Sequence, residues 1–552
     1  MKPSELILGA CLGECIHVAG IINFFRLAES LGYQTKFLGS AISVKDFVSA
    51  LCQHKPDIAA VSYRLAPQSA RALFDDLKEE LSFHGISNTR FVFGGTPPVA
   101  EIAKSIGIFD AVFSGQEPSE AVMKYLKQQA SHVSLQSTYP SGESFAQSLV
   151  ERINQEQPFP LLRHHLGLET VKKTVKNARE VALSGELDIL SIAPDQNAQE
   201  YFFRPEEMPD RGHGAGGVPV RKPEDLRAIF EVTRCGNYPL VRCYAGNRDL
   251  IKWAKMSLEA INIAWGAVPL FWYSELDKRS NRRLMEAIQE NLSAIRWYAE
   301  HGIPIEVNDS HQWSLRDAHD SIGVATAYLA AYNAKALGAQ HYVSQYMLNT
   351  PPNTSPAMDL AKMLAKIEMI EGLHDESFSS YRQIRTGLRS MSCNPNRAKG
   401  HLIASITLGM FLRPHIVHVV GYCEADHAAT ATEIIESCAM ARGAISLTLS
   451  ELPDITHVHE ICKRKQQLIE ETNAILDSIK GLGSMSSDPL TDPVILARAV
   501  KTGILDAPHL YGSKVAPGTV ITMPVDGAYV AIDPDTGKTM SEQERLKKLV
   551  QI

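Results

Sequence analysis

The chain has 552 residues, of which 45% are hydrophobic and 21% are charged, a composition that predicts a globular protein of several domains. Its formal net charge of −7 argues against nucleic acid or an acidic membrane as a partner, so a small molecule or another protein is expected. The nine cysteines include no CxxC pair, which indicates reduced thiols. Without a signal peptide or an apolar run long enough to cross a bilayer, a cytoplasmic location is expected.

Residues 1–130 alternate short apolar runs with helical patterns. The predicted strands are residues 5–11, 34–38, 57–65, 90–95 and 110–115. Ser43 and Asp46 form a capping box, and later helices open near Pro67, Pro97 and Pro118. This alternation predicts an α/β fold with a doubly wound, Rossmann-like parallel sheet, whose ligands bind outside the carboxyl ends of the strands.

Unusual residues fall at those predicted strand ends. The first loop contains the sequence CIHVAG around His17, the third strand ends in SYRL from Ser62 to Leu65, and the fourth ends in the pair Gly94-Gly95. This order resembles the cobalamin-binding domain of mutases and methionine synthase, whose fingerprint is DxHxxG, then SxL, then GG. The resemblance covers about a quarter of the chain.

The resemblance implies that His17 is the metal ligand, binding cobalt from below, and that Ser62, Gly94 and Gly95 line a channel for the nucleotide tail of cobalamin. A neutral imidazole is a good metal ligand when its second nitrogen has an acceptor, and glycines let the backbone approach a flat macrocycle closely. The remaining expected cofactor-binding residues are Cys15, Gly20, Leu65 and Gly115. Cys15 replaces the aspartate of the fingerprint, and a thiol is a weaker hydrogen-bond partner.

Residues 131–200 look helical, and we interpret them as a linker. Residues 201–480 alternate again, with predicted strands at 240–244, 260–265, 303–307, 342–347 and 415–420. About eight strand–helix units over this length predict a (β/α)8 TIM barrel, which places chemistry at the carboxyl ends of its strands. Residues 481–552 are expected to form a C-terminal cap with a β-hairpin turning at Asp526-Gly527.

Three segments, residues 236–250, 265–278 and 294–308, resemble in order the catalytic chain of glutamate mutase (methylaspartate mutase). The resemblance implies that Arg242 holds a substrate carboxylate by a bidentate grip and that Tyr273 matches one of the family's tyrosines. The family's glutamate and its other tyrosine have no counterpart here, so glutamate itself is not the expected substrate.

Several polar residues lie at predicted strand ends of the barrel, and four of them are the catalytic candidates: Arg242, Tyr273, Glu275 and Glu306. Arg242 would hold a carboxylate, while Tyr273 and Glu275 would bond to an amino or hydroxyl group. For the two histidines of the last predicted strand, His415 and His418, a buried structural role is favoured over metal binding. A structural role is also favoured for the polar segment 423–427 that follows.

Together the resemblances predict an adenosylcobalamin-dependent radical isomerase, a carbon-skeleton mutase of the glutamate-mutase kind, acting on a small carboxylate or amino acid as a homodimer. The cofactor would supply radical chemistry by homolysis of its cobalt–carbon bond, and the barrel would position the substrate and exclude water. Two alternatives remain open: a corrinoid-dependent methyltransferase, and a non-enzymatic cobalamin carrier or sensor.

Overall fold

The computed structural model describes residues 5–129, 145–210, 212–244, 246–483 and 485–550. The chain divides into two compact units, Met1–Thr138 and Tyr139–Ile552, and each is described by itself. Among the described residues, no helix is both long and apolar enough to span a membrane.

The first unit is built on a five-stranded parallel sheet with the order β2-β1-β3-β4-β5. Its strands are β1 (Leu6–Cys11), β2 (Gln34–Phe37), β3 (Ile58–Tyr63), β4 (Arg90–Gly95) and β5 (Ala111–Phe113). Its helices are α1 (Ala19–Glu29), α2 (Val44–His54), α3 (Pro67–Phe83), α4 (Pro97–Ile106) and α5 (Ser119–Gln129). Helix α1 packs against α5, while α3 packs against both α2 and α4.

Local sequence explains these elements. All six residues of the central strand β3 are buried, as expected for a strand covered on both faces. The Ser43 hydroxyl accepts a hydrogen bond from the Asp46 N–H at 3.1 Å, so the predicted cap of α2 is confirmed. Prolines occupy the first turns of α3 and α4, where the missing N–H costs little.

The second unit contains a nearly closed barrel of eight parallel strands in the order β8-β7-β6-β13-β12-β11-β10-β9. The strands are β6 (Leu161–Leu166), β7 (Ile189–Ile192), β8 (Leu240–Cys243), β9 (Gly266–Val268), β10 (Ile305–Val307), β11 (His341–Leu348), β12 (Ser379–Thr386) and β13 (Ile416–His418). In the segment just before β9, the Ala264 N–H donates to the Val241 carbonyl of β8 at 2.9 Å. This bond helps to bring the ends of the sheet together.

Helices surround the barrel. They are α6 (Leu149–Glu156), α7 (Val171–Ser184), α8 (Gln196–Tyr201), α9 (Pro223–Val232), α10 (Leu250–Ile261), α11 (Leu284–Glu300), α12 (Ser310–Ser314), α13 (Asp320–Ala336), α14 (Pro356–Glu371), α15 (Pro395–Met410) and α16 (Ala431–Leu449). An apolar core runs between the strands and these helices.

Of the expected helical linker at residues 131–200, residues 131–144 lie outside the described residues, and the structure differs from the expectation over the rest. Two barrel strands, β6 and β7, lie in that range, so the barrel begins at Leu161 rather than near residue 201. Strand β6 was missed because its sequence LLRHHL places Arg163 and His165 on the inward face, where a strand pattern usually shows apolar residues. The expected strand at 260–265 is likewise displaced, since helix α10 extends to Ile261 and β9 begins at Gly266.

The amino end of the barrel is closed by an apolar layer. Inward-facing Leu161, Ile189, Leu240 and Ile416 form one cluster with residues of helix α6. Two residues further along these strands the inward positions become polar, as at Arg163 and Arg242. The barrel interior therefore changes from apolar at its amino end to charged toward its carboxyl end.

The C-terminal segment contains α17 (His459–Gly481), α18 (Pro493–Lys501) and α19 (Glu542–Val550), with a three-stranded antiparallel sheet of β14 (Thr522–Val525), β15 (Ala528–Ile532) and β16 (Thr539–Met540). The predicted hairpin is present, and both Asp526 and Gly527 have the positive φ of its turn. The Ser355 N–H donates to the Gly527 carbonyl at 2.8 Å, which attaches the hairpin to the loop after β11.

Candidate functional site

A cavity of about 450 Å³ lies between helices α1 and α5 and the carboxyl ends of β3, β4 and β5. Its lining includes five of the residues expected to bind a cofactor: Gly20, Ser62, Gly94, Gly95 and Gly115. The volume lies within the range of small-molecule pockets. The first unit therefore brings Ser62 and the pair Gly94-Gly95 together around one cavity.

Glycines keep this cavity open. A Cβ atom added at Gly20 or Gly94 would meet no atom within 4 Å, so both positions face open space. At Gly95 an added Cβ would lie 2.5 Å from the Tyr63 carbonyl oxygen, and this glycine is required for the close pairing of β3 with β4. Gly115 has a φ of +77°, a conformation that favours glycine.

His17 lies in the loop between β1 and α1, with an exposed side chain. Its Nδ1 atom is 3.8 Å from the Sγ atom of Cys15, and Cys15 is fully buried. The thiol thus occupies a position beside the second ring nitrogen, and Nε2 is the atom that a metal ion would take. Neither residue is part of the cavity lining.

Leu65 is the other expected residue outside the cavity, since its half-buried side chain packs against the core of the first unit. Arg64 and Glu117 line the cavity and were not predicted. The Glu117 carboxylate accepts hydrogen bonds from the Ser114 N–H and hydroxyl, and although burial alone would raise its pKa, these bonds lower it. The sequence SGQE after a strand is the signal that could have identified this loop.

The barrel holds a second candidate site, formed by inward-facing arginines. Arg163 on β6 and Arg242 on β8 are both fully buried, and Arg385 on β12 is half-buried. Arg163 donates to the Ser191 hydroxyl at 2.7 Å and to the Gln383 side-chain oxygen at 2.6 Å. Burial and the neighbouring Arg242 lower the pKa of Arg163 to about 9.

Glu306 on β10 is the carboxylate that Arg163 and Arg242 share. Its Oε2 atom lies 3.6 Å from a nitrogen of Arg163 and 3.9 Å from a nitrogen of Arg242, and it accepts a hydrogen bond from Trp265 Nε1 at 2.9 Å. Burial alone would raise the pKa of Glu306, but the two arginines lower it below its usual value. Glu306 is therefore ionised and is bound to protein groups.

Arg242 is the least satisfied of the arginines. Among the described residues, none of its three guanidinium nitrogens has a hydrogen-bond partner. The guanidinium lies over the rings of Tyr244 and Trp265, 4.9 and 5.0 Å from their centroids. Buried donors without partners lower the stability of a fold. The N–H groups of Arg242 are therefore able to bind an anion.

Two histidines adjoin the arginines. The rings of His165 and His418 are 4.4 Å apart, and His165 Nε2 lies 3.0 Å from a nitrogen of Arg163. Burial and the nearby arginines lower the pKa values of both imidazoles well below the usual range. Both rings are thus neutral at physiological pH. His418 is buried, as predicted, but on the polar inner face of the barrel.

Tyr273 and Glu275 follow β9 and have different roles. Tyr273 has a φ of +59°, a strained conformation for an aromatic residue, and burial raises the pKa of its hydroxyl to about 12. Its ring lies under Arg279, 5.0 Å from the guanidinium carbon. Glu275, by contrast, accepts a hydrogen bond from the Leu284 N–H at 2.9 Å and so caps helix α11.

The structure thus unites Arg242 and Glu306 with residues that were not predicted as site residues: Arg163, His165, Gln383, Arg385 and His418. The alternation of Leu161, Arg163 and His165 is the signal that could have revealed them, because every second residue of a barrel strand points inward. Register confirms the grouping, since Arg385 pairs with His418 and His418 with Arg163 in adjacent strands.

No family model matches the chain, and no curated protein matches it. Among solved structures, a novel cobalamin-binding protein from Desulfitobacterium hafniense DCB-2 is 23% identical, covers 23% of this chain and 59% of its own, and gives a TM-score of 0.21. The chain therefore spans less than two thirds of that protein.

Two further solved structures are similar at 10% identity. A Rubisco-like protein from Rhodopseudomonas palustris covers 55% of this chain and 68% of its own, with a TM-score of 0.31. The cobalamin-dependent S-adenosylmethionine radical enzyme OxsB covers 88% of this chain and 69% of its own, with a TM-score of 0.17.

Proposed function

We propose that the protein is an adenosylcobalamin-dependent carbon-skeleton isomerase acting on a small carboxylate. The observation that carries the proposal is the glycine-opened cavity at the strand ends of the first unit, with the exposed imidazole of His17 on the loop after β1. The guanidinium of Arg242 in the barrel, which has no hydrogen-bond partner among the described residues, supports a carboxylate substrate.

The residues of the first unit fit the cofactor. Gly20 and Gly94 leave the cavity free of side chains from two sides, and Ser62 contributes a hydroxyl to its lining. These residues would hold the nucleotide tail of cobalamin. His17 would ligate the cobalt through Nε2, because Nδ1 faces the Cys15 thiol at 3.8 Å.

The barrel residues would bind and orient the substrate. Arg242 would grip a carboxylate with two parallel N–H donors, and Glu306 would hold Arg242 and Arg163 in place through its ion pairs. The neutral rings of His165 and His418 can each donate or accept one hydrogen bond without adding charge. Tyr273 offers a protonated hydroxyl, since its pKa is raised to about 12.

Adenosylcobalamin, when bound, supplies radical chemistry through homolysis of its cobalt–carbon bond. The protein's own contribution is to exclude water and to fix the substrate. The apolar layer at the amino end of the barrel closes one side of the site. The buried arginines make that site strongly selective for negative charge.

Cobalamin binding is tested first, by absorbance titration of the full chain with a matched pair of variants. Gly94→Leu fills the cavity from a position that faces open space, so we expect it to lose cobalamin while remaining folded. Gly400→Leu is the control, because Gly400 lies on the exposed surface of α15 and also meets no atom within 4 Å. Equal affinity of Gly94→Leu and wild type would overturn the assignment of the cavity.

The metal ligand is tested separately. His17→Ala should retain cobalamin through the cavity but lose the nitrogen ligand signal in the electron paramagnetic resonance spectrum of the cob(II)alamin form. If wild-type protein lacks that signal, the role given to His17 is wrong, whereas binding in the cavity stands.

The reaction class is tested with adenosylcobalamin and a panel of small carboxylates and amino acids. An organic radical signal that depends on substrate, and that disappears in Arg242→Met, is the expected result. Formation of methylcobalamin from a methyl donor, without any radical signal, would instead show a corrinoid methyltransferase. Cobalamin binding with neither reaction would point to a carrier or sensor.

A further inference from the structure

Three side chains with metal-binding atoms converge in the loop between β13 and α16. They are Cys423, His427 and Glu433, and one ligand atom from each lies within 4.8 Å of the other two. The loop follows the last strand of the barrel, at the carboxyl end, where barrel enzymes place their chemistry. The sequence by itself favours a structural role for residues 423–427 and does not connect them with Glu433.

The backbone of the loop explains why the thiol and the imidazole meet. The N–H groups of Asp426 and His427 both donate to the Cys423 carbonyl at 2.8 Å. This tight turn brings the His427 side chain back toward Cys423, four residues earlier. Cys423 is 5% exposed, so its Sγ atom forms the inner wall of the cluster.

The two carboxylate oxygens of Glu433 have different partners. Its Oε2 atom accepts hydrogen bonds from the Thr430 N–H at 2.7 Å and from the Thr430 hydroxyl at 2.8 Å, which forms the capping box of α16. Its Oε1 atom lies 2.8 Å from His427 Nε2. The cap thus fixes the carboxylate with one oxygen directed at the imidazole.

His427 has the support that metal-binding histidines usually have. Its Nδ1 atom lies 2.9 Å from the Asp426 carboxylate, and a carboxylate on the second ring nitrogen orients a histidine ligand and strengthens it. The carboxylates of Glu433, Glu424 and Asp426 all act electrostatically on the Cys423 thiol. A divalent cation would compensate this concentration of negative charge.

We propose that Cys423, His427 and Glu433 bind a zinc ion through Sγ, Nε2 and Oε1. Sulfur, nitrogen and oxygen ligands together suit zinc, and three protein ligands leave the fourth tetrahedral position open, as in catalytic zinc sites. Zinc replaces the hydrogen bond between His427 and Glu433, and the protons of the thiol and imidazole pass to solvent. Because the His427 side chain is 50% exposed, a small ligand can reach the open position.

The site goes beyond the proposed isomerase activity and does not depend on it, so its test uses full-length protein prepared without cobalamin. We expect wild type, dialysed against zinc and then against buffer, to keep one zinc per chain by elemental analysis. With Co²⁺ in place of zinc, we expect a thiolate-to-metal charge-transfer band and the d–d bands of a tetrahedral ion. Cys423→Ser and His427→Ala should lose both, and Asp426→Asn should weaken binding about 10- to 100-fold.

The matched controls are Cys393→Ser and His457→Ala, which change an exposed cysteine and an exposed histidine elsewhere and should keep the metal. Retention of metal by Cys423→Ser would overturn the proposal, as would a wild-type Co²⁺ spectrum without the charge-transfer band. The wild-type spectrum decides the question even if a variant fails to fold. Failure of cobalamin binding would leave these results unchanged, so the two proposals are tested independently.

Discussion

Replacing Arg242 with methionine should separate the stability of the barrel from its function. The guanidinium is fully buried, and its nitrogens have no hydrogen-bond partner in the described structure. An unsatisfied buried donor costs about 1–3 kcal/mol, and more when it is charged. Glu306 would still be paired with Arg163 at 3.6 Å and bonded to Trp265, so the substitution leaves no new unpaired charge.

The opposing loss is of similar size and includes the attraction between Arg242 and Glu306 at 3.9 Å. Arg242 lies over the rings of Tyr244 and Trp265, and such cation–π contacts contribute about 0.5–2 kcal/mol each. Replacing buried charges by apolar residues of similar size is often neutral or stabilising by about 1–4 kcal/mol. We therefore expect Arg242→Met to raise the free energy of unfolding of the barrel unit by about 1 kcal/mol or to leave it unchanged.

Urea titration followed by tryptophan fluorescence measures this directly. All five tryptophans of the chain lie at or beyond residue 253, inside the second unit, so the signal reports on the barrel alone. A small carboxylate that binds wild type should stabilise it by about 2.7 kcal/mol at a concentration 100 times its Kd. The same carboxylate should not stabilise Arg242→Met.

Arg152→Met is the matched control. Arg152 is equally buried, but its guanidinium donates to the carbonyls of Ala146, Asn237 and Tyr238. Removing it leaves three half-buried carbonyl acceptors without this donor, so we expect a loss of about 2 kcal/mol or more. A comparable loss in Arg242→Met would refute our reasoning, because it would show that Arg242 is a structural residue rather than an anion-binding one.

Three further predictions concern single residues. Burial lowers the pKa of Lys366 to about 7 in the folded protein, compared with about 10.4 in the unfolded chain. The charge of Lys366 therefore destabilises the fold fully below pH 7, and this destabilisation is lost as the pH rises toward 10. Lys366→Met should stabilise the protein by up to about 4 kcal/mol at pH 6 and much less at pH 9, whereas a pH-independent effect in urea titrations would contradict this. Glu275→Ala should lower the free energy of unfolding by about 1 kcal/mol through loss of a helix cap and should leave carboxylate binding unchanged. If the variant instead loses carboxylate binding, Glu275 takes part in substrate recognition as the sequence predicts. Gly95→Ala should destabilise the first unit by about 1–3 kcal/mol, because its Cβ would lie 2.5 Å from the Tyr63 carbonyl, while Gly94→Ala should be tolerated in thermal unfolding monitored by circular dichroism.

Much of the first unit could be predicted because its signals are local. Strand–helix alternation gives the parallel sheet, and Ser62, Gly94 and Gly95 fall at strand ends that a parallel sheet must bring to one edge. The hairpin at Asp526-Gly527 was equally predictable, because turn chemistry depends on the two residues themselves. These features are determined by residues that are close in sequence, or by the common direction of parallel strands.

The barrel site depended on tertiary structure. Arg163 and Gln383 are 220 residues apart in sequence and are joined by a 2.6 Å hydrogen bond, and only barrel closure and register decide which side chains meet inside. Charged inward-facing residues also hid strand β6, since the sequence pattern assumes apolar interiors. Glu275 is the opposite case, since its position after a strand predicts a site residue. In the structure it instead accepts a hydrogen bond from the first residue of α11 and caps that helix. The amino-acid sequence determined the elements of the first unit and the cavity glycines, while long-range packing determined the full set of barrel strands and which polar groups share a site.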